Sequence, residues 1–220
     1  FGTAQDHKRA GEKDKGPNTG GMGAYSPAPI INKSIEKKII SRIVRPTLKA
    51  LKKANNPFNG FLYVGLMIKN NDPFLIEYNI RMGDPECQVI LPRLRTDLVK
   101  IIENSILNKL SKTKIKWAKN KSMTVVLCSK GYPGNYKKNK LIENINKIKI
   151  SRNEYIYHAG TKAKNGKTYS NGGRVLNISA FGKKFLTIRN KIEKLIKRIN
   201  WKHGFYRKDI GWKVINNENN

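Results

Sequence analysis

The sequence predicts an α+β fold in two parts, and three observations carry that prediction. Apolar residues recur at helical spacing from Ile35 to Ala54, short apolar runs bounded by turn residues read as strands, and a Lys-rich link, Ser111 to Lys121, interrupts both patterns. The expected parts are residues 1–115 and 120–220 of a 220-residue chain.

The opening stretch, Gln5 to Pro29, is polar and Gly-rich with no periodicity of its own, and reads as a long loop. From Ile35 to Ala54 the apolar positions Ile35, Ile39, Ile40, Ile43, Val44, Leu48 and Leu51 form one helical stripe. That stripe fits one amphipathic helix or a pair interrupted at Pro46. Asn55-Asn56-Pro57 ends it. Gly60–Ile68 and Pro73–Ile80 read as strands, joined by Lys69-Asn70-Asn71-Asp72 as a hairpin loop. Arg81–Gln88 is a turn carrying Gly83 and Pro85. Thr96 or Asp97 caps a helix to about Leu110, with Leu98, Ile101, Ile102, Ser105 and Ile106 on one face.

Beyond the link, Met123–Cys128 reads as a buried strand and Gly131-Tyr132-Pro133-Gly134 as a turn. Tyr155–Ala159 and Gly173–Ala180 are further strands, with turns at Asn165-Gly166 and Asn171-Gly172. Phe185–Ile199 has helical periodicity, and Ile210–Val214 closes the second part.

Composition excludes several classes. The apolar fraction of 38% suffices for a core, which argues against wholesale disorder. No run of 18 apolar residues exists, so no helical membrane span is expected, and no charged start leads into an apolar signal region. Cys87 and Cys128 lie far apart without Cys or His neighbours at ligand spacing, so neither a disulfide scaffold nor a Cys-based zinc site fits. A reducing cytoplasmic location is the expectation. The net charge of +30 would attract any polyanion. Yet the excess comes from 34 Lys against 11 Arg, accompanied by 25 Asn and 26 Ile and only 10 Ala, a pattern of AT-rich codons. The lysines are spread along the chain rather than gathered, so no specific nucleic acid is expected; a basic nucleic-acid-binding protein is the alternative from another class.

Three places carry residue types suited to chemistry. Glu77 and Asn79 stand two apart on an expected strand, so both point to one face, and their oxygens are hard donors of the kind Mg²⁺ or Mn²⁺ takes beside nucleotide phosphates. A wet strand face shows the same pattern. Arg81 and Asp84-x-Glu86 follow at once: the guanidinium suits phosphate or carboxylate oxygens, and the acids suit either that Arg or a substrate amine. A surface turn with an ion pair is the plainer reading. In the opening loop, Lys8 and Arg9 are cationic and Thr19-Gly20-Gly21-Met22-Gly23 offers main-chain N–H groups unobstructed by side chains. It is neither a Walker loop nor GxGxxG. His7 is a candidate acid or base; His158, His203 and the cysteines read as structural.

Taken together, Gln5-Asp6-His7-Lys8-Arg9, Gly16 through Tyr25, and Arg81 through Gln88 resemble the phosphoribosylamine–glycine ligase family of the ATP-grasp superfamily. The similarity continues through Gly131–Gly134, His158–Thr161, Gly172–Asn177 and Gly204–Arg207, in the family's order over nearly the whole chain. The resemblance implies the C-terminal part of an ATP-grasp domain followed by a small α+β C-terminal domain, with the N-terminal half of the enzyme missing. It implies ATP-dependent condensation of glycine with 5-phosphoribosylamine in purine biosynthesis, with Mg²⁺ or Mn²⁺. On the matching positions it implies Glu77 and Asn79 as metal ligands and Arg81 and Asp84 as catalytic residues. It implies Asp6, Lys8, Arg9, Asn18, Thr19, Gly20, Gly21, Met22, Glu86 and Arg174 as contacts to substrate or nucleotide. Two departures stand out: many ATP-grasp enzymes have another metal-binding Glu near the position of Gly65, and Lys13 and Lys15 make the loop more basic. A chain cut within an ATP-grasp domain should expose apolar surface on the Ile35–Leu51 helix and the two strands. An inactive remnant of this ligase is the alternative within the family.

Overall fold

A computed structural model describes residues 1–218. The chain forms two compact units, and neither is continuous in sequence. One comprises Phe1–Pro27, Asp84–Arg93 and the chain from Ala118 onward; the other comprises Ala28–Gly83 and Leu94–Trp117.

The first unit is built on an antiparallel sheet in the order Gln5–Asp6, Gly23–Ser26, Lys121–Ser129, Arg174–Gly182, Glu154–His158, with Gly204–Phe205 pairing to the end of Lys121–Ser129. The two central long strands are buried almost throughout, which is why they read as continuous apolar runs rather than alternating ones. The helix Phe185–Ile196 packs on them through Phe185, Ile188, Ile192, Leu195 and Ile196. Its first turn has no cap of its own; the Glu218 carboxylate, from the helix Trp212–Glu218, accepts from the Phe185 N–H at 2.9 Å. A second sheet joins Leu141–Ile142, Lys167–Ser170 and Thr161–Lys164, the last two through Asn165-Gly166 with φ of 49° and 68°, a mirror-type hairpin turn.

The opening stretch differs from the expected loop. It holds four short strands: Gln5–Asp6, Arg9–Gly11, Lys15–Asn18 and Gly23–Ser26. Gly23–Ser26 is fully buried, hydrogen-bonded between Gln5–Asp6 and Lys121–Ser129 with Tyr25 opposite Met123. Strands of two to four residues are too short to show a period, and the partner lies about a hundred residues downstream. The same pairing explains why the compact units cut across the division read from the Lys-rich link: the first 27 residues belong to the sheet of the C-terminal part.

The second unit carries the helix Lys33–Ile39, continuing through a π-turn at Ile40–Val44 into Arg45–Lys53. Pro46 has no N–H to give the carbonyl one turn back, and the wider π-turn directly before it absorbs that loss, so the helix is neither cleanly single nor broken. Asn32 caps it, accepting from Ile35 N–H at 3.0 Å. The strands Tyr63–Lys69 and Asp72–Asn79 form a hairpin across Asn70-Asn71, whose φ of 52° and 60° again mark the mirror-type turn. Lys38 Nζ donates to Asp72 Oδ1 at 2.6 Å and to Asn71 O at 2.8 Å, fastening the helix to the hairpin tip.

Both faces of that hairpin present apolar side chains: Met67, Phe74, Leu75, Ile76 and Ile80 are all exposed, as are Ile40 and Leu48 of the helix. Apolar exposure is thus found on both the helix and the two strands, where it was expected. The next helix, Leu98–Ile106, ends earlier than expected, at Asn108 in the left-handed region, and buries Ile101 alone. Asp97 caps it by accepting from Lys100 N–H at 3.0 Å. Asp97→Ala should lower the stability of this unit by about 1 kcal/mol. Loss of amide protection over residues 98–106 under hydrogen exchange would show it, and unchanged protection would contradict it.

Among the described residues no helix is long and apolar enough to cross a membrane.

Candidate active-site elements and their family

In the first unit, sequence blocks more than a hundred residues apart meet at Gly20. Arg174 Nη1 donates to Gly20 O at 2.8 Å and to Asp84 O at 2.6 Å, while its Nη2 pairs with Asp84 Oδ2 at 2.9 Å. Asp84 is held further by Gln88 Nε2 at 2.7 Å. The Tyr132 hydroxyl accepts from Gly20 N–H at 2.9 Å. Tyr132 reaches that place because Gly173 lacks a side chain: a Cβ there would lie 2.3 Å from its ring. Gly20 is equally constrained, since a Cβ would stand 2.9 Å from the Arg174 guanidinium carbon.

Beside this knot the Asp6 side chain is buried and pairs with Lys8 at 2.8 Å. Burial raises the Asp6 carboxyl to about 7, and the nearby Glu86 charge adds to the rise, with Lys8 offsetting only part. Glu86 is itself buried. Gly21 separates Asp6 from Pro85: a Cβ would lie 2.5 Å from Pro85 Cδ and 2.8 Å from Asp6 Oδ1. Asp6 is therefore near half-protonated at neutral pH, with the buried Glu86 carboxyl close by.

The main-chain donors of the loop do not form the open anion cradle that its glycines suggest. Thr19 N–H bonds Lys8 O at 2.7 Å, Gly20 N–H the Tyr132 hydroxyl, Gly21 N–H the Thr19 hydroxyl at 2.9 Å, and Met22 N–H His7 O at 2.9 Å. Each is satisfied within the protein, as buried amides must be. Met22 is a core residue with no exposed surface, its carbonyl accepting from Val126 N–H at 3.0 Å. Arg9 spends one nitrogen on Gly16 O at 2.9 Å, closing its own hairpin, and Asn18 is exposed at that hairpin's end.

His7 does not suit acid–base work. It is buried, its Nε2 accepts from Gly211 N–H at 3.2 Å, and burial followed by the Arg207 charge lowers it to about 4. Burial also raises both cysteines, Cys128 to about 12, so neither is an activated nucleophile.

In the second unit, Glu77 is exposed directly across from Gly65, and Asn79 stands two residues on, opposite Tyr63. A Cβ at Gly65 would lie 2.8 Å from Glu77 Cγ, so the missing side chain makes room for Glu77, and no second carboxylate faces it at that position. Among the described residues no group of three or more His, Cys, Asp or Glu gathers as a metal cage. Arg81 is exposed, donating to Met82 O at 2.9 Å. The expected site residues thus fall into two sets: Asp6, Lys8, Arg9, Asn18, Thr19, Gly20, Gly21, Met22, Asp84, Glu86 and Arg174 in one unit, and Glu77, Asn79 and Arg81 in the other.

Sequence reasoning did not single out Tyr132, nor the ionic group of Arg207, Asp14 and Asp209. The scarcity of acids in this chain was a usable signal, since each buried Arg needs one.

Comparison with known proteins agrees with these features. The ATP-grasp (A) domain model of phosphoribosylglycinamide synthetase matches residues 1–87, and the C domain model of the same enzyme matches residues 122–213. A phosphoribosylamine–glycine ligase of Agrobacterium fabrum is 46% identical over 98% of this chain and 51% of that protein. A chloroplastic phosphoribosylamine–glycine ligase of Arabidopsis thaliana is 43% identical over 97% of this chain and 41% of its own length. The crystal structure of phosphoribosylamine–glycine ligase from Thermotoga maritima superposes with a TM-score of 0.77 at 34% identity, covering 94% of this chain and 50% of that one. The chain therefore spans about half the length of the bacterial relatives it matches. It belongs to the phosphoribosylamine–glycine ligase family of the ATP-grasp superfamily.

Proposed function

We propose that this chain is the ATP-grasp and C-domain portion of an enzyme that condenses glycine with 5-phosphoribosylamine at the expense of ATP, releasing ADP, phosphate and glycinamide ribonucleotide. The observation that carries the reading is the meeting of Arg174, Asp84, Gly20 and Tyr132 in one hydrogen-bonded knot, beside buried Asp6 and Glu86, in a chain 46% identical to a named ligase.

The chemistry suits these groups. A carboxylate is a poor acyl donor, so glycine is first activated as an acyl phosphate, and the amine then displaces phosphate. The attacking amine must lose a proton, and Asp6, beside the knot and raised to about 7, is the group suited to take it. Arg174 and Gln88 keep Asp84 oriented. Arg81, exposed after its strand, would neutralise charge on the phosphoryl or carboxylate oxygens.

Glu77 and Asn79 fit Mg²⁺ or Mn²⁺, which take few protein oxygens when nucleotide phosphates and water complete the shell. Glu77 and Asn79 would hold such an ion, and the charge neutralisation it would supply is what phosphoryl transfer from a nucleotide needs. The remaining half of the relatives' length is the other component this reading requires, with the exposed apolar hairpin as the surface it covers.

The test is glycine-dependent ADP release with ATP, Mg²⁺ and freshly generated phosphoribosylamine, on the full-length protein carrying this sequence. Glu77→Gln should lower the rate by roughly 100-fold or more. Undiminished activity in that variant would remove Glu77 from the metal site. A folded full-length protein with no ADP release would leave an inactive remnant as the better account.

A further inference from the structure

The C-terminal segment Arg207–Lys213 meets the opening loop through five polar contacts and one packing contact. Arg207 is almost completely buried and donates through every nitrogen of its fork. Nε and Nη2 reach the two carboxylate oxygens of Asp209, both at 2.8 Å, and Nη1 reaches Arg9 O and Asp14 Oδ1, both at 3.0 Å. Asp209 Oδ2 accepts from Lys13 N–H at 2.7 Å. Lys213 Nζ pairs with the other oxygen of Asp14 at 2.6 Å. Gly211 N–H donates to His7 Nε2. Ile210 packs so closely on Gly23 that a Cβ there would lie 2.9 Å from it.

The grip falls where the loop most needs it. Lys13 and Asp14, at the tip of the Arg9–Asn18 hairpin, have φ of 54° and 56°, a left-handed pair that side-chain-bearing residues rarely adopt without outside support. The hairpin leads straight into Thr19-Gly20-Gly21, which is hydrogen-bonded back to Lys8. A shift at Asp14 therefore moves both ends of the segment carrying Asp6, Gly20 and Gly21.

We propose that Arg207, with Asp14 and Asp209, is a positioning clamp by which the C-terminal segment sets the geometry of residues 6–23, and so of the substrate-facing loop. The proposal rests on the function assigned above for that loop, and its test separates the two. No expected effect needs the Arg207 side chain to touch substrate.

Arg207 is buried, and its removal alone can unfold the protein, so the decisive variant is Asp14→Asn. It keeps the shape and the Arg207–Asp209 fork while removing the charge that both Arg207 and Lys213 hold. In the full-length protein, amide exchange should rise at residues 9–18 and also at 19–22, while strands 121–129 and 174–182 stay protected. The kcat/KM of the ligation should fall roughly 10-fold or more, with the melting temperature moved only a few degrees. Arg207→Lys should hold the fold yet restore neither loop protection nor rate, because an ammonium cannot replace a four-bond fork.

Unchanged exchange at 19–22 in Asp14→Asn overturns the clamp whether or not the protein is active. Loosened exchange with full kcat/KM overturns its role in positioning the reaction. Absence of ligation in the wild-type protein counts against the functional reading alone, since the exchange experiment needs no turnover.

Discussion

Gly21→Ala should destabilise the protein by about 3 kcal/mol and abolish the ligation proposed for it. At φ 121° residue 21 occupies a backbone region that side-chain-bearing residues avoid, and its missing Cβ is a space already filled. The added methyl would lie 2.5 Å from Pro85 Cδ and 2.8 and 2.9 Å from the Asp6 carboxylate oxygens. None of these is the loose end of a flexible chain: Pro85 is a ring in a buried turn, and Asp6 is buried and ion-paired. Relief would push the loop away from the 84–86 turn, parting the groups proposed to handle the amine. For a chain of this size about 3 kcal/mol corresponds to a loss of roughly 6–12 °C in melting temperature. Gly166→Ala is the matched control, with φ 68° but nothing within 4 Å of the new methyl, and should cost about 1 kcal/mol from backbone strain alone. Equal losses in the two variants would show that the crowding against Pro85 and Asp6 carries no weight.

Asp6→Asn should make the protein more stable at pH 8 while impairing ligation. The Asp6 carboxyl stands near 7 in the folded protein against 3.8 when free, so the folded state prefers the neutral acid and stability falls as pH rises from about 4 through 7. At pH 8 the buried carboxylate costs up to roughly 4 kcal/mol even with its Lys8 pair, and an amide of the same shape escapes that cost. His7 works in the opposite sense. Its folded value near 4 lies below the free 6.5, so it contributes stability that is fully present above pH 6.5 and is lost as pH falls toward 4. Between pH 4 and 6.5 the two slopes cancel in the wild-type protein. Urea unfolding of Asp6→Asn should uncover the His7 slope, about 1.4 kcal/mol per pH unit over that interval. A variant less stable than wild type at pH 8 would show that the Lys8–Asp6 ion pair outweighs desolvation. The difference between the two proteins at pH 8 measures the stability cost of the buried acid.

Much of the local structure was legible in the chain itself. The Asn70-Asn71 and Asn165-Gly166 turns, the Asp97 cap and the stripe of the Phe185–Ile196 helix follow from residue-level rules acting over a few positions. The Glu77-x-Asn79 pairing on one strand and the chemical character of Arg81-x-x-Asp84-x-Glu86 were readable for the same reason. The grouping of motifs as a family signature was also readable, because their order along the chain is itself information.

Only the tertiary structure decided which of those residues meet. The strand Gly23–Ser26 has no stability or pattern of its own and exists because Lys121–Ser129 supplies its hydrogen bonds. That one pairing moves the opening loop into the unit of the C-terminal part, delivers Gly20 to Tyr132 and Arg174, and buries Asp6 beside Glu86. The same burial spends the loop's amides on internal acceptors, a competition invisible in a run of glycines. The sequence by itself determined the turns, caps, helices, family and stock of chemical groups, all set by short-range sterics or by order. Burial, partners and proton affinity belong to the three-dimensional neighbourhood, because desolvation and hydrogen bonding depend on what lies within a few ångströms in space.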